Sequence, residues 1–291
     1  MGKAFLQLHL AIFLAGFTGI LGKLITLEQY PLVLWRLTLS VILLWSLFLL
    51  KRKLILLNFA LGLRSVGVGC IAALHWILFF GSIKYANVSV ALVCFSSVGF
   101  FTAFLEPLIN GKGWDLTDFI LGFLVIGGVA VIFHFDPHFQ KGILYGLGSS
   151  FLGALFPIYN RRLMQFMNAP TLVTWELTGG WFFLLLFIPI YHYFFPAIRW
   201  IPQGNDLLWV FILASFCTVW AFQLSSNALK QLSAFTVNMS YNLEPVYGIL
   251  LAFLVFGENK FLGASFYVGM AIILIALSFQ TIRTIRLKQA A

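Results

Sequence analysis

A single glutamate lies near the midpoint of a long apolar run, where its carboxylate could bind a proton or a cation. Glu244 is followed by Pro245 inside the run 233–256. An ionisable side chain near the centre of a bilayer costs roughly 2.5–3.5 kcal/mol on insertion scales, so it normally faces a cavity or a partner. The proline removes one helical hydrogen bond and can leave a carbonyl free to face a bound molecule. Glu244 is therefore the first candidate binding residue.

One broad face of this run is polar if the run is a helix that turns about 100° per residue. The face holds Asn238, Tyr241, Asn242, Glu244, Pro245 and Gly248. Such a face either lines a wet cavity or makes the polar contacts that hold a helix bundle together. We predict a cavity at Glu244, and we name Asn238, Tyr241 and Asn242 as further candidates for substrate binding with both alternatives open.

Other apolar runs contribute five more candidate substrate-binding residues: His75, Trp76, Trp220, Gln223 and Asn160. His75 can carry a proton at physiological pH or simply hydrogen-bond a neighbour. Trp220 and Gln223 are three residues apart, which places an aromatic ring and an amide on one helix face, although Trp220 is equally suited to face lipid. Asn160 is placed for exposure to a cavity without requiring it.

Three charged residues lie near the ends of apolar runs: Arg36, Glu176 and Glu106. Arg36 and Glu176 are each one turn into their runs. Each could extend to the interface, bind a loop or form part of a gate. We expect a gating or structural role for all three charges, and we do not expect Arg36 to pair with Glu176.

The composition indicates an all-α membrane protein. Of the 291 residues, 61% are hydrophobic and 9% are charged, which is more apolar surface than a soluble domain can bury. Runs near 20 residues match a hydrocarbon core about 30 Å thick, and they are too long and unalternating for barrel strands. Ten such runs are predicted to be transmembrane helices: 4–22, 31–50, 65–83, 87–109, 116–135, 142–160, 172–195, 207–229, 233–256 and 261–281.

The net charge of +9 is distributed as a topology signal. Cytoplasmic termini place most of the basic residues on the inner side: Lys3, Lys51, Arg52, Lys53, Arg64, Lys112, Arg161, Arg162, Lys230, Arg283, Arg286 and Lys288. The outer side then receives five: Lys23, Lys84, Lys141, Arg199 and Lys260. We therefore expect an integral protein of a bacterial cytoplasmic membrane with both termini inside, in contact with lipid and not with nucleic acid.

The chain contains an internal repeat. Leu-Val-x-Trp-x-Leu-Thr occurs at 32–38 and again at 172–178, and residues 81–100 align with 227–246 without a gap. An odd number of crossings separates the two copies of the motif, so they face opposite sides of the bilayer, as in many transporters. We predict two inverted five-helix repeats, 1–135 and 142–291, joined by a linker at 136–141 into one membrane domain.

At these residues the chain resembles the EamA-like ten-helix permeases of the drug/metabolite transporter superfamily. The resemblance rests on Trp35-Arg36-Leu37, the turn 84–89, Leu243-Glu244-Pro245-Val246 and Gly257-Glu258. It implies two inverted five-helix repeats, cytoplasmic termini, and export or exchange of small metabolites through a central cavity. The first half departs from the pattern, with Val98-Gly99 opposite Glu244-Pro245 and Asn110-Gly111 opposite Gly257-Glu258.

The sequence therefore predicts a secondary active transporter of small metabolites such as amino acids, working by alternating access. No metalloprotease, hydrolase or phosphate-loop motif is present, so we expect no enzymatic activity, no catalytic residue, no metal and no cofactor. The remaining energy sources are a proton gradient or substrate exchange. The alternative from another class is a membrane-embedded enzyme or lipid-handling scaffold.

Overall fold

A computed structural model describes residues 2–50, 57–111, 113–229, 232, 237 and 240–289, and helices dominate these residues with no strand among them. We number the helices α1 to α12 in chain order: Gly2–Leu24, Gln29–Leu50, Phe59–Tyr85, Val88–Phe95, Val98–Asn110, Leu116–Phe135, Gln140–Leu163, Ala169–Phe194, Asp206–Ala214, Ala221–Leu229, Glu244–Phe256 and Ala264–Gln289. A π-helical segment, Ser215–Trp220, joins α9 to α10, and short 3₁₀ turns are found at Pro137–Phe139 and Glu258–Lys260.

The helices confirm the predicted all-α membrane architecture. Within the described residues, eight helical stretches are long and apolar enough to cross a bilayer, and they fall on the first eight predicted runs. The last two runs contain the shorter apolar helices Glu244–Phe256 and Ala264–Gln280. Several helices begin at an asparagine or aspartate because its side chain accepts a backbone N–H that the first turn leaves unpaired, as Asn58, Asn87, Asp115 and Asn168 do.

Two spans are interrupted at corresponding places in the two halves. The fourth span breaks at Ser96 and Ser97, between α4 and α5, and the ninth has a turn at Asn242 and Leu243, immediately before α11. These positions coincide in the gapless alignment of 81–100 with 227–246. The same backbone hydrogen bond marks both breaks, from Ser97 N to Cys94 O and from Leu243 N to Ser240 O, each at 3.0 Å. Paired interruptions of this kind are typical of transporter binding sites.

The two breaks have different local causes. In the first half, serine hydroxyls replace the lost helical bonds, since Ser97 Oγ donates to Cys94 O at 2.6 Å and Ser150 Oγ from α7 donates to the same carbonyl at 2.8 Å. In the second half, Pro245 has no N–H to donate and is fixed in the first turn of α11. The serine hydroxyls keep the irregular backbone of the first break satisfied inside the protein, as a bilayer requires.

The helices after the breaks have equal length and equal ends. α5 and α11 each contain 13 residues and each ends at a glycine in the left-handed region, Gly111 at φ 64° and Gly257 at φ 62°. Gly111 therefore corresponds to Gly257, so the expected pairing of Asn110-Gly111 with Gly257-Glu258 was wrong by one residue. The left-handed C-cap fixes this register because only glycine adopts it without strain.

Contacts between the halves occur in matching pairs. α1 packs against α11 and α10, while α7, its counterpart, packs against α4, α5 and α3. α3 packs against α8, as α9 packs against α2. Three further interfaces, α2 with α8, α4 with α11 and α6 with α12, join equivalent spans of the two halves to each other. This pattern is the one expected for two repeats related by a pseudo-twofold axis.

Glycines set the distance between α6 and α12. A Cβ atom added at Gly128 would lie 2.7 Å from Gly269 O, and one added at Gly269 would lie 2.4 Å from Gly128 O. Backbone thus packs directly on backbone, which is the way small residues stabilise helix pairs in lipid.

We predict that Gly128→Ala lowers the thermal stability of the purified protein, because the new methyl group must push two backbones apart. Overpacking of this kind costs about 1–3 kcal/mol. Gly127→Ala is the matched control, since a Cβ at Gly127 meets no atom within 4 Å. Equal melting temperatures for the two variants in detergent would contradict the proposed contact.

Candidate functional site

A buried arginine lies on an aromatic surface in the interior of the bundle. Arg36 of α2 is 4% exposed. Its Cζ atom lies 4.1 Å from the ring centroid of Trp76 and 5.8 Å from that of Phe80, both on α3. A guanidinium over an aromatic face gains about 2 kcal/mol or more when water is excluded. Trp76 is therefore a support for the cation, in addition to being the predicted substrate contact.

The π-helical segment supplies the hydrogen-bond acceptor for this arginine. Arg36 Nε donates to Thr218 Oγ1 at 3.0 Å. Thr218 Oγ1 in turn donates to Leu213 O at 2.9 Å, five residues earlier, a spacing that a π turn provides. Arg36 Nη1 is buried and makes no hydrogen bond within the described residues. One strong donor is thus unsatisfied beside an apolar wall.

Glu244 is the first residue of α11, at the break, and its charge interacts with that of Arg36. α11 approaches α1 very closely here, since a Cβ at Gly16 would lie 3.0 Å from both Glu244 O and Gly248 N. A carboxylate in the first turn of a helix is also favoured by the unpaired N–H groups of that turn. The break and the glycine crossing therefore position an acid within electrostatic reach of a buried base.

The other predicted residues near Glu244 occupy the break itself. Asn242 is half-buried in the turn, and Tyr241 precedes it, with a side-chain hydrogen bond to Ser225 and an electrostatic interaction with Glu244. Asn238 lies outside the described residues. Tyr241 and Asn242 thus lie within three residues of Glu244, at the break in the ninth span, which interrupts the continuous helix that the sequence analysis assumed.

His75 is hydrogen-bonded to α7. Its Nδ1 lies 2.8 Å from Ser149 O, and because a carbonyl only accepts, Nδ1 carries the proton. Ser149 Oγ donates to His75 O at 3.1 Å, and the imidazole ring contacts Phe79 and Phe95. His75 also lies within electrostatic range of Arg36. These contacts join α3 to α7 next to the arginine.

Trp220 and Gln223 differ from Trp76 in their packing, since Trp76 lies against Arg36. Trp220 is 40% exposed and its ring packs edge-on against Phe216, while Gln223 is half-buried on the following turn. The π-helical segment ends at Trp220, so the register of α10 relative to α9 departs from the regular helix assumed in the sequence analysis.

Asn160 pairs with Glu176. Asn160 Nδ2 donates to Glu176 Oε2 at 3.4 Å, and both side chains are buried between α7 and α8. Arg36 and Glu176 have separate partners, as expected. Glu106, near the end of α5, forms an ion pair with Arg161 at 3.5 Å. The neighbouring Arg162 donates to Asn110 Oδ1 at 3.0 Å.

A buried glutamate that sequence reasoning missed joins the two halves. Glu258 accepts hydrogen bonds from Lys23 Nζ at 2.8 Å, Ser89 N at 2.9 Å and Ser89 Oγ at 2.6 Å. Burial opposes its ionisation, but these donors outweigh burial and lower the pKa of Glu258 below its usual range. The carboxylate also meets the N-terminus of α4 through Val88 N at 3.2 Å. In the sequence, the Gly257-Glu258 motif was the signal that could have pointed to this residue. The motif does not reveal the partners of Glu258, because Lys23, Val88 and Ser89 are distant from it in sequence.

Together, Arg36 and Glu244 offer one positive and one negative group beside an aromatic surface formed by Trp76 and Phe80. Such an arrangement can bind a small molecule that carries both charges and an apolar body. Thr218 and Phe80, which complete it, were not predicted, because their positions depend on helix packing and on the π turn.

Comparison with known proteins identifies a family and a fold. The model of the EamA-like transporter family matches residues 2–134 and again residues 140–282. No curated protein matches the chain. One solved crystal structure has a TM-score of 0.61 to this chain at 15% identity and covers 95% of this chain and 96% of its own. That likeness shows a shared fold.

We expect Glu258→Gln to destabilise the protein at neutral pH by about 1.5–3 kcal/mol, the usual value for hydrogen bonds to a charged group. Because the folded pKa is lowered, the ionised form contributes stability above the ordinary glutamate pKa of about 4.3, and this stability is lost as pH falls through the folded pKa. The melting temperatures of variant and wild type should therefore converge in acid. Glu28→Gln, at an exposed carboxylate, is the control, and a constant difference at all pH values would refute the assignment.

Proposed function

The chain belongs to the EamA-like transporter family, and from that premise we propose that it is a secondary active transporter that exports or exchanges amino acids by alternating access. It is an integral membrane protein of a transporter family. The class of substrate, the direction and the mechanism are our proposal.

One observation carries the choice of substrate: Arg36 has an unpaired buried Nη1, rests on Trp76 and interacts electrostatically with Glu244. A guanidinium binds a carboxylate through charge-assisted hydrogen bonds. The Glu244 carboxylate suits an ammonium group. An α-amino acid presents both groups on one carbon, and an apolar side chain would pack on the aromatic rings.

The same observation disfavours phosphorylated sugars and nucleotides. Their phosphates require several arginines or lysines converging at depth. Among the described residues around Trp76 and Thr218, Arg36 is the cation that the structure supplies.

The paired breaks support alternating access. In the described part of the chain, the fourth and ninth spans are interrupted at the same register, and Glu244 lies at one of these interruptions. In transporters built from inverted repeats, interrupted helices flank the substrate, and the halves move against each other around it. The charge distribution supports placing both termini in the cytoplasm of a bacterial cell.

The substrate proposal predicts that each of two variants loses discrimination against a different substrate analogue. In liposomes, the amino acid that exchanges fastest should compete with its decarboxylated and deaminated analogues, and both analogues should bind more weakly. Arg36→Gln should abolish discrimination against the decarboxylated analogue, and Glu244→Gln discrimination against the deaminated one, because each variant removes one charge partner. Arg64→Gln, at an exposed position, is the control.

Failure of every proteinogenic amino acid to exchange, or saturable uptake of a nucleotide sugar, would overturn the substrate proposal. Equal losses for both analogues in both variants would show that Arg36 and Glu244 are structural contacts.

The orientation is tested separately by cysteine labelling in intact cells with a membrane-impermeant reagent. In a background without Cys70, Cys94 and Cys217, Ala197→Cys should be labelled and Arg64→Cys should not, although both positions are exposed. The reverse pattern would invert the topology.

A further inference from the structure

Glu176 is a second carboxylate inside the bundle, and its surroundings differ from those of Glu244. It is 1% exposed, and Asn160, its partner, is 9% exposed. The hydrogen bond from Asn160 Nδ2 to Glu176 Oε2, at 3.4 Å, satisfies one oxygen only. Glu176 Oε1 and Asn160 Oδ1 are both buried without a hydrogen-bond partner. Two acceptors in one acid–amide pair therefore lack a donor.

Nothing charged faces this pair within the described residues. On α7, Arg161 and Arg162 are turned towards Glu106 and Asn110 at the end of α5. On α2, Arg36 is engaged by Trp76 and Thr218, and its charge interacts with that of Glu244.

α3 closes the remaining side of the pair with backbone. A Cβ atom at Gly69 would lie 2.0 Å from Glu176 O, and one at Gly180 would lie 2.6 Å from Gly69 O. The titratable groups of α3 are Arg64, Cys70, His75, Lys84 and Tyr85. Arg64 is exposed, Cys70 is a free thiol, and His75 Nδ1 is bonded to Ser149. Lys84 donates to Ile25 O, and the Tyr85 ring lies under Lys141 Nζ of α7. None of them supplies a positive charge to Glu176.

A bare carboxylate in such a place is strongly disfavoured, because a buried charge without a counter-charge loses its hydration and gains no partner. One added proton removes the problem. The acid O–H of Glu176 would donate to Asn160 Oδ1 while Asn160 Nδ2 donates to the other carboxyl oxygen. Both missing donors are then provided by a single proton.

We propose that Glu176 and Asn160 form a proton-binding site and that this site couples transport to the proton gradient. The coupling role, though not the protonation itself, rests on the proposed transport function. Glu244, whose charge Arg36 compensates, receives the substrate ammonium group, and Glu176, which has no cation, receives the proton. Release of the proton requires water to reach the pair, so α7, α8 and α3 must separate in part of the transport cycle.

Infrared difference spectroscopy of the wild-type protein across a pH titration tests the protonation. The carbonyl band of a buried carboxylic acid should be present, should be absent in Glu176→Gln, and should persist in Glu106→Gln. In Asn160→Leu the band should move to the higher frequency of an acid without a hydrogen-bond acceptor. A band unchanged in Glu176→Gln, or no acid band at any pH at which the protein is folded, would overturn the proposal.

Transport in liposomes tests the coupling. Glu176→Gln keeps the shape of the side chain and a donor for Asn160 Oδ1, so amino-acid exchange should continue while accumulation driven by an imposed pH gradient falls to the level of protein-free liposomes. Glu28→Gln, at an exposed carboxylate, should retain both activities. Gradient-driven accumulation at the wild-type level in Glu176→Gln, or accumulation driven by a Na⁺ gradient instead, would refute the coupling role.

The two proposals fail in different ways. If wild-type protein exchanges no amino acid, the substrate proposal fails, while the infrared band still reports whether Glu176 holds a proton. If exchange is normal and the acid band does not depend on Glu176, the proton site fails and the substrate proposal stands.

Discussion

Inside a bilayer every charge and every backbone polar group must find its partner within the protein, and the whole structure is arranged around that constraint. It explains why the break at Ser96 and Ser97 is covered by serine hydroxyls, and why Arg36 lies on the Trp76 ring with Thr218 as acceptor. It also explains the close glycine crossings, since without a hydrophobic driving force between helices the bundle depends on packing at short range. Among the buried polar atoms without a hydrogen-bond partner in the described part of the chain, those of Arg36 and of the Glu176–Asn160 pair are the ones at which we propose binding.

Glu244 and Glu176 illustrate how the environment assigns different chemistry to identical side chains. Glu244 begins a helix and interacts with a guanidinium, whereas Glu176 lies within a helix and faces an amide. A carboxylate with a nearby cation is suited to recognising a charged group, and one without is suited to holding a proton. Glu258 is a third case. Its carboxylate accepts hydrogen bonds from a lysine, a serine and a helix N-terminus, and these bonds stabilise its charge and connect the two halves.

Much of the fold was predictable from sequence because run length and composition decide which segments cross a bilayer. The repeat was visible too, and its gapless alignment placed Ser96 and Ser97 opposite Asn242 and Leu243, where both spans are interrupted. The site was only partly predictable. Helical periodicity singled out Glu244, Tyr241 and Asn242 from the sequence, but it assumed one continuous helix, which the turn at Asn242 and Leu243 interrupts. Thr218 reaches Arg36 through a π turn, and Glu176 meets Asn160 across a helix interface, so neither contact is encoded in local spacing. The register of Gly111 with Gly257 likewise needed the backbone dihedral angles.

The equal lengths of α5 and α11 bear on the energetics of the proposed alternating access. When two halves share one backbone plan in opposite orientations, exchanging their conformations converts a form open on one side into a form open on the other. By backbone geometry alone these two forms have equal free energy. Their resting populations are then set by the side chains that differ between the halves, such as Val98 opposite Glu244. A chain of this design can therefore change its preferred resting orientation by substitution at a few positions, without altering the path between the two forms.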